Sequence, residues 1–315
     1  TEVDNAKVFP IGCVTKGQQG KEITEMGFMK EAGAVAFSDD GRPVENANIM
    51  RLALEYAASH DALIISHCED KELAAGGVAN EGLNATISGL RGITRASEEC
   101  MVSRDILIAE SLNAKIHIAH VSTKGSVELV RQAKARGVMV TCETCPHYFS
   151  ATDDEILNYN TNAKINPPLR TQQDVEAIIE GLKDGTIDAI ATDHAPHHAD
   201  EKNLEFNLAP FGTAGFETAF SLAYTYLVEP DYIDLVKLSK LMSSNPAKIL
   251  GIGSGTLKEG ERADITVVDP DKSYIFDSSK SVSKGKNSLF GGWKLRGAVT
   301  AVIVDGIEKE IKSYD

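Results

Sequence analysis

The chain has 315 residues, with 32 basic and 46 acidic side chains and a net charge of −14, the wrong sign for a binder of nucleic-acid phosphates or anionic membrane. A composition of 42% hydrophobic and 25% charged residues excludes disorder and collagen-like or low-complexity structure. No stretch approaches the roughly 20 apolar residues of a spanning helix, the first residues lack a signal-peptide pattern, and five cysteines form no disulfide framework, so the cytoplasm is the expected compartment.

Six short apolar runs read as strands: Val8 to Thr15, Ala34 to Asp39, Ala62 to His67, Lys115 to Val121, Val138 to Glu143 and Ile187 to Asp193. They are rich in Ile and Val without strict alternation, as strands buried on both faces should be. Between them lie helical patterns, EITEMGFMKEAG, ENANIMRLALEYAASH, SEECMVSRDILIAESL, SVELVRQAKARG and QDVEAIIEGLKDG, several ending in Gly. This βαβα alternation predicts an α/β fold with a parallel sheet and helical crossovers. After Gly251, GIGSGTLKEGERADITVVDP and WKLRGAVTAVIVDGIEKE are β-rich runs between Gly and charged turns. The expected organisation is a (β/α) barrel over residues 1–250 and part of a small β domain over 251–315. A (β/α)₈ barrel needs eight strands. With six found and the chain opening almost directly in one, two further units of about 30 residues each are expected upstream of Thr1.

In a parallel barrel the site lies at the C-terminal ends of the strands. Four runs end in residues of metal-ligand type: Asp39 and Asp40, between which spacing does not choose, then His67, His120 and Asp193. Two His and two Asp converging on one rim suit Zn²⁺ or Mn²⁺. Alternation pairs Ile65 with His67 and Ile118 with His120, which turns His117 toward the surrounding helices. Asp193 is the candidate to take a proton from an activated water. It opens DHAPHH, where His197 is within reach of a substrate and His194 is expected to point away. Asn166 precedes two prolines in KINPPLR and reads as a fixed amide. Cys142-x-x-Cys145 follows a strand and has no second pair, so neither redox nor zinc chemistry is expected there. His147 reads as structural, and Asp153, Asp154 and Glu155 as a solvated helix start.

GAVAFSDDG, SHCED, HIAHVSTKGS, KINPPLR, TDHAPHHADEKN and APFGTAGFET resemble, in order and spacing, the class I bacterial dihydroorotases of the amidohydrolase superfamily. The resemblance implies a (β/α)₈ TIM barrel with a small β domain built from both chain ends. The activity it implies is reversible, zinc-dependent cyclisation of N-carbamoyl-L-aspartate to (S)-dihydroorotate in pyrimidine biosynthesis, with two zincs per full-length subunit. It implies that Asp40 bridges the zincs, that His67 and His120 bind one of them, and that Asp193 contacts the other and acts as general acid/base. It further implies that Asn166 and His197 bind the dihydroorotate ring or its carboxylate, and that Phe211 and Gly212 offer backbone contacts. A homodimer and a complex with aspartate transcarbamoylase are the macromolecular partners it suggests.

The family's His-x-His-x-Arg motif is absent from these 315 residues, which implies a half-built metal site and little activity for this polypeptide alone. Two other readings compete. Dihydropyrimidinases, hydantoinases and allantoinases bridge their metals with a carboxylated lysine, where Asp40 stands here. A non-catalytic dihydroorotase-like subunit scaffolding a transcarbamoylase would have little reason to keep Asp40, His67, His120 and Asp193 together.

Overall fold

The five crossover helices form close to their expected positions, at Met26–Glu31, Ala47–Ser59, Ala96–Leu112, Lys124–Ala135 and Gln172–Asp184, in a computed structural model that describes residues 6–311. Local chemistry sets their ends. Asn46 accepts the N–H groups of Asn48 and Ile49 and so starts the second helix, whose buried Met50, Ala53, Leu54 and Ala57 recur at helical spacing. Thr171 and Asp174 form a reciprocal capping box at the start of the fifth, and Gly185 ends it at φ 86°.

The six expected strands are present as β1 (Ile11–Gly12), β2 (Ala36–Phe37), β3 (Ile64–Ser66), β6 (Ile116–Ile118), β7 (Val140–Thr144) and β8 (Ala189–Ile190). They pair in parallel in the order β1-β2-β3-β6-β7-β8, as the six-strand part of a TIM barrel. A separate two-stranded sheet, β4 (Ala79–Asn80) with β5 (Gly92–Ile93), lies in the connection after β3. Neither strand of this pair was expected from the sequence.

Register assigns the faces. Ile64, Ile116 and Val140 sit side by side in the ladder and are buried in the apolar core with Leu54, Val102, Ile106 and Val130 from the helices. The next row, Ile65, His117 and Thr141, belongs to the opposite face. Ile65 and His117 line a cavity of about 470 Å³ inside the curved sheet, bounded elsewhere by Pro246, Ile249 and Leu250. This corrects the expected orientation of His117, which faces the barrel interior while Ile118 faces the helices.

The C-terminal runs form an antiparallel sheet, β11-β10-β9, from β9 (Ile265–Ile275), β10 (Lys294–Val304) and β11 (Ile307–Lys309). It docks on the helical segment 219–228 at an irregularity in β10, where the Arg296 N–H donates to Thr225 Oγ1 at 2.8 Å. Gly297 there has φ 78°, and an added Cβ would meet the Tyr224 ring at 2.7 Å, so only glycine fits.

Candidate functional site

Tertiary contacts separate the two carboxylates after β2. Asp39 is buried and accepts the backbone N–H groups of Val14 (2.8 Å) and Thr15 (3.1 Å) and the Thr15 hydroxyl, tying the end of β1 to β2. Asp40 opens to the cavity, with Oδ1 3.3 Å from both His67 Nδ1 and His120 Nε2. Those two nitrogens are 2.8 Å apart, with the rings edge to face. His67 directly follows β3. His120 lies two residues past β6, where alternation alone would send it to the helix side, but its left-handed backbone (φ 35°) breaks the alternation and brings the ring to the rim. Asp193, after β8, is likewise left-handed at φ 46° and lines the same cavity. Such conformations cost about 1–3 kcal/mol each and recur at functional sites.

Charge follows geometry. Burial pushes the Asp40 carboxyl up, but its bonds to His120 and His67 outweigh that and hold it well below the usual carboxylate range. Burial disfavours a proton on His120, yet Asp40 raises its pKa to about 9, and His67 is raised with it. Asp40 therefore favours positive charge on the rings beside it. Among the described residues, Asp40, His67 and His120 are the group of three donor side chains close enough to share one metal ion, all donor atoms lying within 4.8 Å. Buried His120 Nδ1 has no hydrogen-bond partner. Two imidazole nitrogens and a carboxylate oxygen turned on one another fit Zn²⁺. The Asp193 pKa is raised, with burial the largest cause, His120 opposing it and Asp40 adding to it. Asp193 stands outside the three-donor group.

Asn166 joins this region through a residue the sequence reading passed over. Its Nδ2 donates to Glu69 Oε1 at 3.1 Å, and Glu69 Oε2 is 3.4 Å from His67 Nε2. Glu143 was also missed; it lines the cavity and lies 3.3 Å from His117 Nε2. Glu69, two residues past His67, carried a usable signal, because continued alternation places both on one face.

The remaining candidates form a second group. His197 Nε2 is 2.8 Å from the Phe211 carbonyl, and its N–H donates to Asn287 Oδ1 at 2.8 Å. The Gly212 N–H donates to the Lys164 carbonyl, while its own carbonyl accepts from Lys202 Nζ at 2.9 Å. Asn287 Nδ2 also donates to the Ala195 carbonyl at 2.9 Å. Gly212 has φ 126°, and a Cβ there would lie 2.6 Å from that of Ala195. These residues hold one another and are not among those lining the cavity at Asp40 and His120. His194 accepts the Gly215 N–H and stacks on Phe216 at 3.9 Å, turned to that loop. Asn287, between β9 and β10, had no local pattern to reveal it.

Cys142 and Cys145 are buried free thiols, and burial pushes Cys142 to about 12, so neither offers a ready thiolate. Asp153 is corrected from a solvated residue to a buried one that accepts from Asn80 and Asn84, because the unforeseen β4–β5 segment folds over it. No helix among the described residues is long and apolar enough to cross a membrane.

The sequence pattern of the Amidohydrolase family matches residues 14–308. The chain is 59% identical over 299 residues to a dihydroorotase of Acetivibrio thermocellus, covering 95% of this chain and 70% of that protein. It is 54% identical over 305 residues to a dihydroorotase of Caldicellulosiruptor saccharolyticus, covering 97% and 71%. Among solved structures it superposes on the L-hydantoinase (dihydropyrimidinase) of Arthrobacter aurescens with a TM-score of 0.83 at 26% identity, covering 95% of this chain and 68% of that one. With six parallel strands, the cluster at their ends and these relatives in view, the chain belongs to the amidohydrolase family, among its dihydroorotases.

Proposed function

We propose that this chain carries out the reversible cyclisation of N-carbamoyl-L-aspartate to (S)-dihydroorotate with zinc as cofactor, a step of pyrimidine biosynthesis, in the cytoplasm. The observation that carries the metal site is the meeting of His67 Nδ1, His120 Nε2 and Asp40 Oδ1 within about a hydrogen bond of one another. Asp40, His67 and His120 would hold zinc, Asp40 and Asp193 reaching a second ion. When bound, zinc supplies Lewis acidity that polarises a carbonyl and acidifies water.

The chain's own groups move the proton and hold the substrate. In ring opening, the Asp193 carboxylate takes the proton of the attacking water and delivers it to the amide nitrogen as that bond breaks; ring closure runs the same transfers backward. Its raised pKa suits a group that must both accept and release a proton. Asn166, steadied by Glu69, and His197, steadied by Phe211 and Asn287, would hold the ring and its carboxylate, with Phe211 and Gly212 beside them. The substrate is a small molecule; a second copy of the chain and aspartate transcarbamoylase are the protein partners to seek.

Turnover of dihydroorotate, hydantoin and allantoin by the zinc-loaded protein tests this reading. Preference for dihydroorotate supports it, and preference for either other ring overturns it. Absence of zinc together with a stable complex with aspartate transcarbamoylase would replace it by the scaffolding role.

A further inference from the structure

We propose that Glu69 is a positioning residue that sets His67 for the metal with one carboxylate oxygen and Asn166 for the substrate with the other. The inference rests on the proposed function for what Asn166 binds, but its first half concerns the chain's own side chains. Glu69 Oε2 lies 3.4 Å from His67 Nε2, and Oε1 accepts from Asn166 Nδ2 at 3.1 Å. Its side chain is only 13% exposed. The backbone just after it is held: the Asp70 N–H donates to the Ser97 carbonyl, Ser97 Oγ donates back to the Asp70 carbonyl, and the Asp70 side chain caps the turn Lys71–Ala74. Glu69 is therefore presented from a fixed point.

A carboxylate only accepts, so each neighbour must bring a donor to it. A neutral imidazole has one N–H. Facing Glu69, that N–H resides on Nε2, which leaves the Nδ1 lone pair directed at Asp40 and His120, where a cation would sit. The Asn166 amide has two ends, and presenting its NH₂ to Glu69 settles which end its carbonyl occupies. One side chain thus orients a metal ligand just after β3 and an amide in the KINPPLR loop, the latter 97 residues from Glu69. Glutamine has nearly the same shape but one acceptor oxygen and one NH₂, so it satisfies one neighbour and opposes the other.

The test compares zinc affinity, by competition with a chromophoric chelator, for the wild type, Glu69→Gln and Asn166→Ala, together with KM for dihydroorotate. Glu69→Gln is expected to weaken zinc about 10–100-fold if its NH₂ faces His67, or to raise KM if its NH₂ faces Asn166. Asn166→Ala is expected to raise KM while zinc affinity stays within about threefold, a split that general loosening of the fold would not produce. Wild-type zinc affinity together with wild-type KM in Glu69→Gln overturns the proposal. Should that variant fail to fold, the nitrogen-resolved imidazole NMR spectrum of zinc-loaded wild type decides: a proton on His67 Nε2 supports the proposal and a proton on Nδ1 overturns it. A wild type that holds zinc but turns over no dihydroorotate defeats the dihydroorotase reading separately, and the imidazole NMR spectrum still rules on Glu69.

Discussion

The cluster at the strand ends and the clasp formed by the loops treat buried polar groups in opposite ways. At Asp40, His67 and His120, two ring nitrogens confront each other at 2.8 Å and His120 Nδ1 has no partner. At His197, Phe211, Gly212 and Asn287, the named donors and acceptors are matched by other groups of the same chain. Unpaired buried polar groups cost free energy, so the His120 Nδ1 orphan is a local cost that the surrounding structure offsets, whereas the named groups of the second region satisfy one another. The difference separates a cluster that could hold a metal ion and leaves a ring nitrogen spare from a clasp whose groups pair with one another.

Asp193→Asn strikes at the first region's chemistry and has the largest expected effect. Its kcat for dihydroorotate should fall by about 10²–10⁴-fold, while zinc held by Asp40, His67 and His120 remains. Steady-state kinetics with metal analysis measure both, and a kcat within tenfold of wild type would remove Asp193 from proton transfer. Asn287→Ala strikes at the clasp. It leaves the His197 N–H and the Ala195 carbonyl without their partner and should cost about 1–3 kcal/mol in urea unfolding. It should raise KM without weakening zinc. An equal loss in zinc affinity would show that the two regions are one mechanical unit.

A separate test, of stability alone, concerns His147, outside both regions. It is buried and lacks a partner at Nε2, and burial lowers its pKa from 6.5 to about 3. Above pH 6.5 it is neutral folded or unfolded. Between pH 6.5 and 3 the unfolded chain takes up a proton that the folded chain refuses, so stability falls with pH by at most about 1.4 kcal/mol per unit. Below pH 3 both states are protonated and the loss stops. Urea midpoints at pH 7 and pH 5 should therefore show the wild type losing more stability than His147→Leu; parallel losses would place the proton elsewhere.

Much of this architecture is written locally. Buried parallel strands give unbroken Ile and Val runs, caps such as Asn46 and Thr171 mark helix starts, and ligand-type residues ending four of the six runs mark the rim, because each feature depends on neighbours a few residues away. For the same reason the strand-end candidates could be named from the chain, and resemblance singled out Asp40. Contacts between distant segments decided the rest. Asp39 and Asp40 are adjacent acids until the β1 end claims Asp39. His117 faces the interior against expectation, set by strand register, while His120 reaches the rim as expected only because its left-handed backbone ends the alternation of β6. Glu69 meets Asn166 across 97 positions and Asn287 meets His197 across 90. Periodicity reports which face a residue occupies while the backbone stays regular; which distant group it meets there depends on how separate segments pack, and no local pattern encodes that.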